Sequence, residues 1–408
     1  MLAEIVASWW RTRRAMRLST AGLARLRIRQ WRALQPALAE TPALAQLAGD
    51  PSAEPPITTI AELRADYGRW NCLGLTDADL RAMADAAERG EDTGAVTAGW
   101  STGSGGGTRG LFVATPAERA DYLGQSLARL LPLSALLQRQ RIALHLRAGS
   151  ALYADVQRGR IAFRHVPLDR GSAEAQAELE AFGPTVLIAP AHRLLAFAIA
   201  GASFPALAHL FHGSEPMSPA EHALIAAHFG MAPRGIWQAT EGFIAADCAQ
   251  GRLHLNDHAL AIELEPVPGT PAFRPLITDL RRRSQPVVRL RGDDVVELDE
   301  RGPCPCGYAG RTVLPVQGRI DDLWRFGAQV VLPRYVVETV EAVLGAGPRW
   351  QAVAMVDRVI LRLAPDCDPS SAAIAAAALG QLVPVPADLA FDLPPWPGPK
   401  RRKVVGHG

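Results

Sequence analysis

A stretch rich in glycine and hydroxyl side chains runs from Ser101 to Gly110 and could bind an anion. Small residues let several backbone N–H groups turn toward one phosphate, and side-chain hydroxyls add further donors. The stretch lacks the Gly-Lys-Ser/Thr ending of a Walker A loop, and a flexible linker is the alternative interpretation. A basic residue near its end supplies charge for phosphate oxygens. The candidate phosphate-binding residues are Ser101, Thr102, Gly103, Ser104, Gly106 and Arg109.

Two further motifs could hold a magnesium ion and the nucleoside part of a nucleotide. Thr240 and Glu241 are adjacent and precede a glycine, and their hydroxyl and carboxylate oxygens are ligands of the kind that Mg²⁺ prefers. Trp237 lies three residues earlier and could stack on a base. Asp294 follows an apolar run that ends in an acidic turn, where its carboxylate could accept both ribose hydroxyls. Each motif taken alone could equally be a polar turn.

The last ninety residues carry a second group of charged candidates. Arg319 stands in a Gly-Arg-Ile-Asp-Asp segment that ends at Asp322. Lys400 and Lys403 are the only two lysines in a chain with 43 basic residues. Because an ammonium and a guanidinium group are not interchangeable at a phosphate, these lysines are candidates for a specific role. A disordered basic terminus is the alternative.

Four of the remaining polar residues have a spacing typical of a structural zinc site. Cys304 and Cys306 form a Cys-Pro-Cys-Gly turn, and Cys248 and His254 lie upstream. Three thiolates and one imidazole would complete a closed tetrahedral site, which stabilises a fold and leaves no open position for catalysis. The alternative is a set of reduced cysteines, because the chain has five in all and no disulfide pattern.

The elements that must position these residues indicate an α/β protein. Residues 1–95 have helical patterns broken by proline-rich links. From 96 to about 240, helical patterns alternate with apolar runs that begin at Ile142, Thr185 and Leu207, which predicts a mainly parallel sheet covered by helices. Alternating residues from about 250 to 318, including 258–264 and 287–290, predict a β-rich subdomain. Residues 319–408 carry strand and helix signals of their own and predict a small, mobile α+β lid on the large N-terminal domain.

Composition sets the remaining expectations. The net charge of +2 is uninformative about partners, and no apolar window reaches the ~18 residues of a membrane span. A secretory signal needs an uninterrupted apolar segment, and arginines interrupt every early apolar run of this chain. We therefore expect a cytoplasmic protein. The arginines of residues 11–32 could contact nucleic acid, an acidic membrane or an acidic protein. We favour the alternative, a solvated helix face whose apolar side packs inward through Trp9, Trp10, Leu18, Leu23, Leu26 and Trp31.

Taken in order, the motifs resemble those of the adenylate-forming superfamily of acyl-CoA synthetases, luciferases and peptide-synthetase adenylation domains. The resemblance runs from about residue 95 to the C-terminus. It is strongest to the phenylacetate–CoA ligase branch and its relatives once called coenzyme F390 synthetases, which show a similar Cys…His…Cys-x-Cys-Gly pattern. This chain departs from the family in the phosphate loop, where Thr108 replaces a proline and Arg109 replaces a lysine.

The resemblance implies a role for each matching residue. The loop 101–110 would hold the phosphates of ATP, Glu241 would contact Mg²⁺, Asp294 would bind the ribose, and Lys400 would close on the carboxylate and α-phosphate. The segment Ser214, Glu215 and Pro216 matches the turn that lies along the adenine. Trp237 stands where the family commonly has a tyrosine, Thr240 matches the family threonine, and Arg319 with Asp321 or Asp322 matches the hinge.

The implied activity is ATP-dependent formation of an acyl-adenylate, followed by rotation of the lid and transfer of the acyl group to a thiol. We expect the acyl pocket between Tyr153 and Phe211 and before Trp237, where polar residues favour a small aromatic acid such as a hydroxybenzoate over a fatty acid; these are His145, Arg147, His192 and His212. Some similar enzymes of aryl-pigment pathways load a carrier protein, and the basic segments of this chain favour an acidic acyl carrier protein over free coenzyme A. The alternatives are a coenzyme A ligase, an enzyme that transfers AMP itself, and a non-catalytic nucleotide-binding protein.

Overall fold

The computed structural model describes residues 1–48, 54–89, 91, 94–101, 109–146, 160–396 and 401–406. Its α-helices are α1 (Leu2–Ala15), α2 (Thr20–Ala39), α3 (Ile60–Ala65), α4 (Asp77–Glu88), α5 (Pro116–Leu130), α6 (Leu133–Leu136), α7 (Ser172–Phe182), α8 (Ala191–Ile199), α9 (Pro219–Phe229), α10 (Pro333–Leu344) and α11 (Pro369–Leu382). Short 3₁₀ helices occur at Ala45–Leu47, Tyr67–Trp70 and Ile320–Asp322.

The strands before residue 270 are β1 (Thr97–Trp100), β2 (Leu111–Ala114), β3 (Gln140–Leu144), β4 (Ile161–His165), β5 (Val186–Ala189), β6 (His209–His212), β7 (Arg234–Ala239), β8 (Gly242–Asp247), β9 (Leu253–Leu255) and β10 (Leu260–Pro266). Those after it are β11 (Phe273–Asp279), β12 (Leu290–Arg291), β13 (Asp294–Val295), β14 (Thr312–Val313), β15 (Gly318–Arg319), β16 (Trp324–Phe326), β17 (Gln329–Val331), β18 (Trp350–Ala354), β19 (Val359–Leu363), β20 (Ala387–Ala390) and β21 (Val404–Val405).

The largest sheet within the described ranges has eight strands in the order β14-β9-β8-β7-β6-β5-β3-β4. Neighbouring strands are parallel from β4 to β7 and antiparallel from β7 to β14. The predicted α/β class and parallel sheet are therefore confirmed, and part of the β-rich region continues the same sheet. Strand β7 is where the direction of pairing changes.

Helices α7, α8 and α9 cover the parallel part of this sheet through one apolar core. Leu179, Leu194 and Ile225, one from each helix, are fully or almost fully buried and pack with Leu187 of β5 and Leu210 of β6. Burial on this scale fixes the carboxyl ends of β5 to β7, where the polar residues of the site lie. The core therefore provides a rigid floor for that site.

Two predicted strands have different limits from those expected. The run that begins at Leu207 becomes a strand only at His209, because the Leu207 N–H bonds to the Phe204 carbonyl in a turn. The run 287–290 contributes only its last residue to β12. Arg289 has a φ of +40°, in the left-handed region that interrupts a strand. The helical patterns predicted for residues 1–95 are confirmed by α1 to α4.

Helix α1 packs against α5, which contacts strand β8 of the large sheet. The Cβ of a residue at Gly124 would lie 2.5 Å from the Ile5 carbonyl oxygen, so glycine permits the close approach of α1 and α5. Trp9 is buried as expected, but Trp10 is 54% exposed, so the prediction for Trp10 was wrong. Trp10 lies on the side of α1 that faces away from α5. No helix in the described ranges is both long and apolar enough to span a bilayer.

The remaining strands form smaller sheets. β10, β11 and β12 make an antiparallel sheet, and β13 pairs with β15. After β15, the hairpin β16–β17, the sheet β20-β19-β18-β21 and helices α10 and α11 enclose a separate apolar core that includes Trp324, Trp350 and Leu379. The strand and helix signals predicted for this region correspond to elements such as β17, α10 and β19. We refer to residues 319–406 as the lid.

Candidate functional site

A cavity of about 1500 Å³ lies at the carboxyl end of the parallel strands and reaches the lid. Most of the predicted site residues line it: Ser101, Ser214, Glu215, Pro216, Trp237, Thr240, Glu241, Asp294 and Arg319. Predictions for Thr102, Gly103, Ser104, Gly106 and Lys400, and for Arg147 and Tyr153 in the acyl pocket, fall outside the described residues. The sequence motifs thus converge on one space, although Ser101 and Arg319 are more than two hundred residues apart in the chain.

The two ends of the glycine-rich loop are held together as the end of a β-hairpin. β1 pairs with β2, the Ser101 N–H donates to the Gly110 carbonyl at 2.7 Å, and the Gly110 N–H donates to Oγ of Ser101 at 2.9 Å. Arg109 donates from Nε to the Ser101 carbonyl, and its guanidinium lies 2.5 Å from the Glu88 carboxylate. Glu88 therefore holds the charge that was expected at a phosphate, and Arg109 is not among the residues that line the cavity.

Gly110 brings this hairpin against the β7–β8 turn. A Cβ built on Gly110 would lie 2.5 Å from Oγ1 of Thr240, a separation that real contacts do not reach. Gly110 and Thr240 can therefore approach this closely only because residue 110 has no side chain.

We expect Gly110→Ala to push Thr240 away from the loop and to reduce nucleotide-dependent activity by about tenfold or more, since small misplacements at an active site have large effects. Gly347→Ala is the matched control, because a Cβ at Gly347 would meet no atom within 4 Å. The measurement is the KM for ATP and the kcat of each variant. Equal kinetics for the two variants would contradict the proposed contact.

Glu241 is a buried carboxylate in the two-residue turn between β7 and β8, and it is 7% exposed. Burial, followed by the nearby carboxylates Asp294 and Asp293, raises the pKa of Glu241 to about 7. Arg282 donates to the Thr240 carbonyl at 2.7 Å and partly offsets this effect. Three carboxylates around one cavity form an environment that a divalent cation would stabilise.

Trp237, Asp294 and Arg319 form a second connected group. The Trp237 indole Nε1–H donates to Oδ2 of Asp294 at 2.8 Å, and Arg319 Nε lies 3.8 Å from Oδ1 of the same residue. Asp294 and Arg319 are directly opposite each other in the β13–β15 pair. Backbone pairing therefore holds Asp294, the candidate ribose residue, opposite Arg319, the candidate hinge residue. Trp237, the candidate base-stacking residue, is hydrogen-bonded to Asp294.

The Glu215 carboxylate is occupied by residues from two other segments. The His192 N–H donates to it at 2.7 Å, the His192 Nδ1 lies 2.8 Å from it, and the Arg401 guanidinium lies 3.0 Å from it. Burial alone would raise the pKa of Glu215, but Arg401 and His192 hold it well below its usual range. Ser214, the residue before it, has a φ of +69°. This turn is therefore fixed by an ion pair with the chain's last described segment.

The same segment makes a second, buried set of ion pairs between the lid and the large domain. Glu221 of α9 lies 2.7 Å from both Arg401 and Lys403. Lys403 also contacts Glu341 of α10, which accepts a hydrogen bond from Ser218. The side chains of Glu221 and Glu341 are at most 2% exposed. We call Glu215, Glu221, Glu341, Arg401 and Lys403 the latch, because they join the lid to the floor of the cavity.

Glu221→Gln should lower the free energy of unfolding by about 3 kcal/mol, because it removes one partner of a buried ion pair and leaves two cations less compensated. The matched control is Glu338→Gln, since Glu338 is 40% exposed and pairs with Arg334 one helical turn away, a contact that contributes about 0.5 kcal/mol or less. Urea unfolding of the three proteins measures both changes. Similar losses in both variants would show that the latch does not stabilise this arrangement.

The four predicted zinc ligands come together at the end of β8. The ligand atoms of Cys248, His254, Cys304 and Cys306 all lie within 4.8 Å of one another. Sγ of Cys248 is 3.6 Å from Sγ of Cys304, and Sγ of Cys306 is 3.3 Å from Nε2 of His254. Nδ1 of His254 lies 2.8 Å from the Gly310 carbonyl, which orients Nε2 toward the thiols. This donor set fits a tetrahedral zinc ion.

Several residues of the site were missed or undervalued in the sequence. Arg401 lies in the basic tail, where only the lysines stand out, because lysine is otherwise absent from the chain. Arginine is common throughout the chain, so nothing marked Arg401. Glu221 completes a capping box with Ser218, so its pattern indicates a helix start and nothing more. Arg282 lies in a run of three arginines that gives no sign of which one faces Thr240.

No protein-family model matches this chain, and no curated protein does. Among solved structures, a 2-hydroxyisobutyryl-CoA ligase in the postadenylation state with its acyl-AMP is similar to the chain at a TM-score of 0.71 and 16% identity, over 97% of this chain and 91% of that one. The same ligase in the thioesterification state with coenzyme A gives a TM-score of 0.58, at 96% and 91% coverage.

An anthranilate–CoA ligase in complex with anthranoyl-AMP is similar at a TM-score of 0.52 and 15% identity, over 73% of this chain and 64% of that one. These structures span both the large domain and, for the first ligase, the lid. The resemblance drawn from the motifs is thus confirmed at the level of the fold, and the more specific branch stays a prediction. The chain therefore has the fold of the adenylate-forming acyl-CoA and aryl-CoA ligases.

Proposed function

We propose that this protein is an ATP-dependent ligase that converts a small carboxylic acid into its acyl-adenylate and transfers the acyl group to a thiol. The observation that supports this most is the convergence of Thr240-Glu241, Trp237-Asp294 and the latch on one cavity at the carboxyl end of the parallel strands. Ligands of open α/β sheets bind at this edge.

In the first half-reaction the carboxylate of the acid attacks the α-phosphate of ATP, and pyrophosphate leaves. Catalysis of such a transfer depends on positioning and on neutralising charge. The hairpin that ends at Ser101 and Gly110 would bracket the phosphates, and Asp294 would accept hydrogen bonds from the ribose. Lys400, which the sequence resemblance matches to the family's lid lysine, is proposed to neutralise the developing charge.

The residues also fit a magnesium ion and a structural zinc ion. Glu241 and Thr240 would hold the magnesium, which neutralises phosphate charge when bound. The buried carboxylate with its raised pKa is a site that such a cation would stabilise. Cys248, His254, Cys304 and Cys306 would hold the zinc, which stabilises the end of β8 and has no part in the reaction.

For the second half-reaction we propose the phosphopantetheine thiol of an acyl carrier protein as the acceptor, with free coenzyme A as the alternative. Carrier proteins are acidic, and the exposed arginines of α1 and α2 offer a complementary charge. The acid is proposed to be aromatic, because Leu144, Ile188 and Phe243 provide a compact apolar wall of the cavity. This ligase would release free AMP after the second half-reaction, whereas an enzyme that transfers AMP itself would leave AMP attached to its product.

The experiment is acid-dependent pyrophosphate release with ATP and Mg²⁺, over a panel of aryl and aliphatic acids, with the acyl-AMP identified by mass spectrometry. Release with aryl acids, followed by acylation of a carrier protein in preference to coenzyme A, would support every part of the proposal. Coenzyme A as the better acceptor would support the alternative. No pyrophosphate with any acid, in protein that binds ATP, would argue against ligase activity.

A further inference from the structure

One part of the cavity wall combines an apolar surface with two polar side chains that the adenylation chemistry leaves unused. Leu130, Leu144, Ile188, Ile236 and Phe243 line the cavity and belong to one apolar cluster. His212 and Asp247 line the same cavity at the ends of β6 and β8. A purely apolar substrate would leave these two polar groups without compensation.

The two polar groups face each other across Gly235. His212 and Gly235 are paired in the β6–β7 ladder, and the Gly235 N–H donates to Oδ2 of Asp247 at 2.5 Å. A Cβ on Gly235 would lie 3.2 Å from that oxygen and 3.2 Å from Nε2 of His212. Gly235 is absent from the positive-φ glycines of the described chain, so its backbone does not require glycine. A side chain at this position would instead crowd both the imidazole and the carboxylate, which glycine leaves accessible from the cavity.

The carboxylate has capacity to accept a hydrogen bond from a ligand. Within the described ranges, the hydrogen bond from Gly235 is the one that Asp247 accepts. Burial lowers the pKa of His212 to about 4, so the imidazole is neutral and does not form an ion pair with Asp247. A substituent that enters this space therefore meets an acceptor on one side and a neutral imidazole on the other.

We propose that His212, Gly235 and Asp247 form a subsite that recognises a hydroxyl or amino substituent on the apolar body of the acid. Asp247 accepts a hydrogen bond from the substituent, His212 borders it, and Gly235 provides the room. The subsite rests on the proposed function, and it defines the substrate class as a compact acid with a hydrogen-bonding substituent. An unsubstituted acid would leave Asp247 desolvated without a partner, and such sites discriminate strongly against analogues that lack the polar group.

The test compares kcat/KM for pyrophosphate release between benzoate and the three hydroxybenzoates and three aminobenzoates. We expect the best substituted acid to exceed benzoate by about 100-fold or more in the wild type. Asp247→Asn keeps an amide oxygen for the Gly235 N–H but presents an NH₂ donor to the substituent, so this ratio should fall at least about tenfold. Gly235→Ala places a methyl group in the space and should lower the ratio as well.

Matched controls are available on the lid. Asp357 has a side chain that is 69% exposed, and a Cβ at Gly347 meets nothing within 4 Å, so Asp357→Asn and Gly347→Ala should leave the ratio unchanged. Wild-type activity that does not distinguish benzoate from the substituted acids would overturn the subsite while the ligase function stands. A ratio unchanged in both site variants would do the same. Absence of pyrophosphate with every acid would overturn the function and the subsite together.

Discussion

Replacing Glu241 by glutamine should lower acid-dependent pyrophosphate release by about 10³-fold, because it removes the negative charge with which Glu241 would hold the proposed magnesium ion while keeping the side chain's shape. Glu241 is buried in the two-residue turn between β7 and β8. The measurement is steady-state pyrophosphate release at saturating ATP and acid. Calorimetry of ATP binding without Mg²⁺ separates the two possible causes of lost activity. A variant that still binds ATP is folded and has lost only the metal ligand.

Glu174→Gln is the matched control, since the Glu174 side chain is 66% exposed on α7 and its removal should leave the rate within twofold of the wild type. Activity of the Glu241 variant within tenfold of the wild type would exclude this residue as an essential ligand.

The stability of the Glu241 variant should change in the opposite direction from its activity. The raised pKa means that the folded protein binds a proton that the unfolded chain has released between pH 4.5 and 7, so this carboxyl makes folding less favourable as the pH rises through that range. A glutamine has no such dependence. In metal-free protein, the difference in Tm between the variant and the wild type should therefore grow in favour of the variant from pH 5 to pH 8.

Loss of the proposed zinc ion should produce the largest decrease in stability. A closed site of three thiolates and one imidazole contributes its binding energy to folding, and we expect Cys304→Ser to lower the free energy of unfolding by about 5 kcal/mol or more. Atomic spectrometry should find close to one zinc per chain in the wild type and much less in the variant. Cys248 directly follows β8, and Glu241 directly precedes it, so activity should decrease together with zinc content.

Cys367→Ser is the control for this experiment, because Cys367 is a half-buried cysteine of the lid that lies outside the cluster. It should keep its zinc and most of its stability. Protein that is purified without zinc, and whose Tm does not change with a chelator, would contradict a structural metal at this position.

Short motifs made part of the site predictable. Thr240 and Glu241 are adjacent, and Cys304 and Cys306 are separated by one residue, so local spacing alone brings their side chains together. Cys248 and His254 lie about fifty residues before that pair, and the family resemblance supported grouping them with it. The parallel strands β3, β5 and β6 were predictable from their apolar runs.

The latch could not be predicted in this way. Arg401 and Glu215 are 186 residues apart and Lys403 and Glu221 are 182 apart, and no pattern in the sequence connects them. Their pairing follows from how the lid packs on α9, which depends on the whole fold. The interruption of the strand before β12 was equally hidden, because nothing in the residue type of Arg289 indicates a positive φ.

The position of β21 has a practical consequence for handling the protein. This strand lies beside β18, the Ala352 N–H donates to the Lys403 carbonyl at 2.7 Å, and the Trp324 indole donates to the Val405 carbonyl at 2.9 Å. A truncation that removes Arg401 and all later residues would delete a strand of the lid and both cations of the latch at once. Loss of activity in such a protein could therefore not be assigned to the strand or to the latch. Affinity tags and surface tethers are better attached near Leu2, which is 61% exposed.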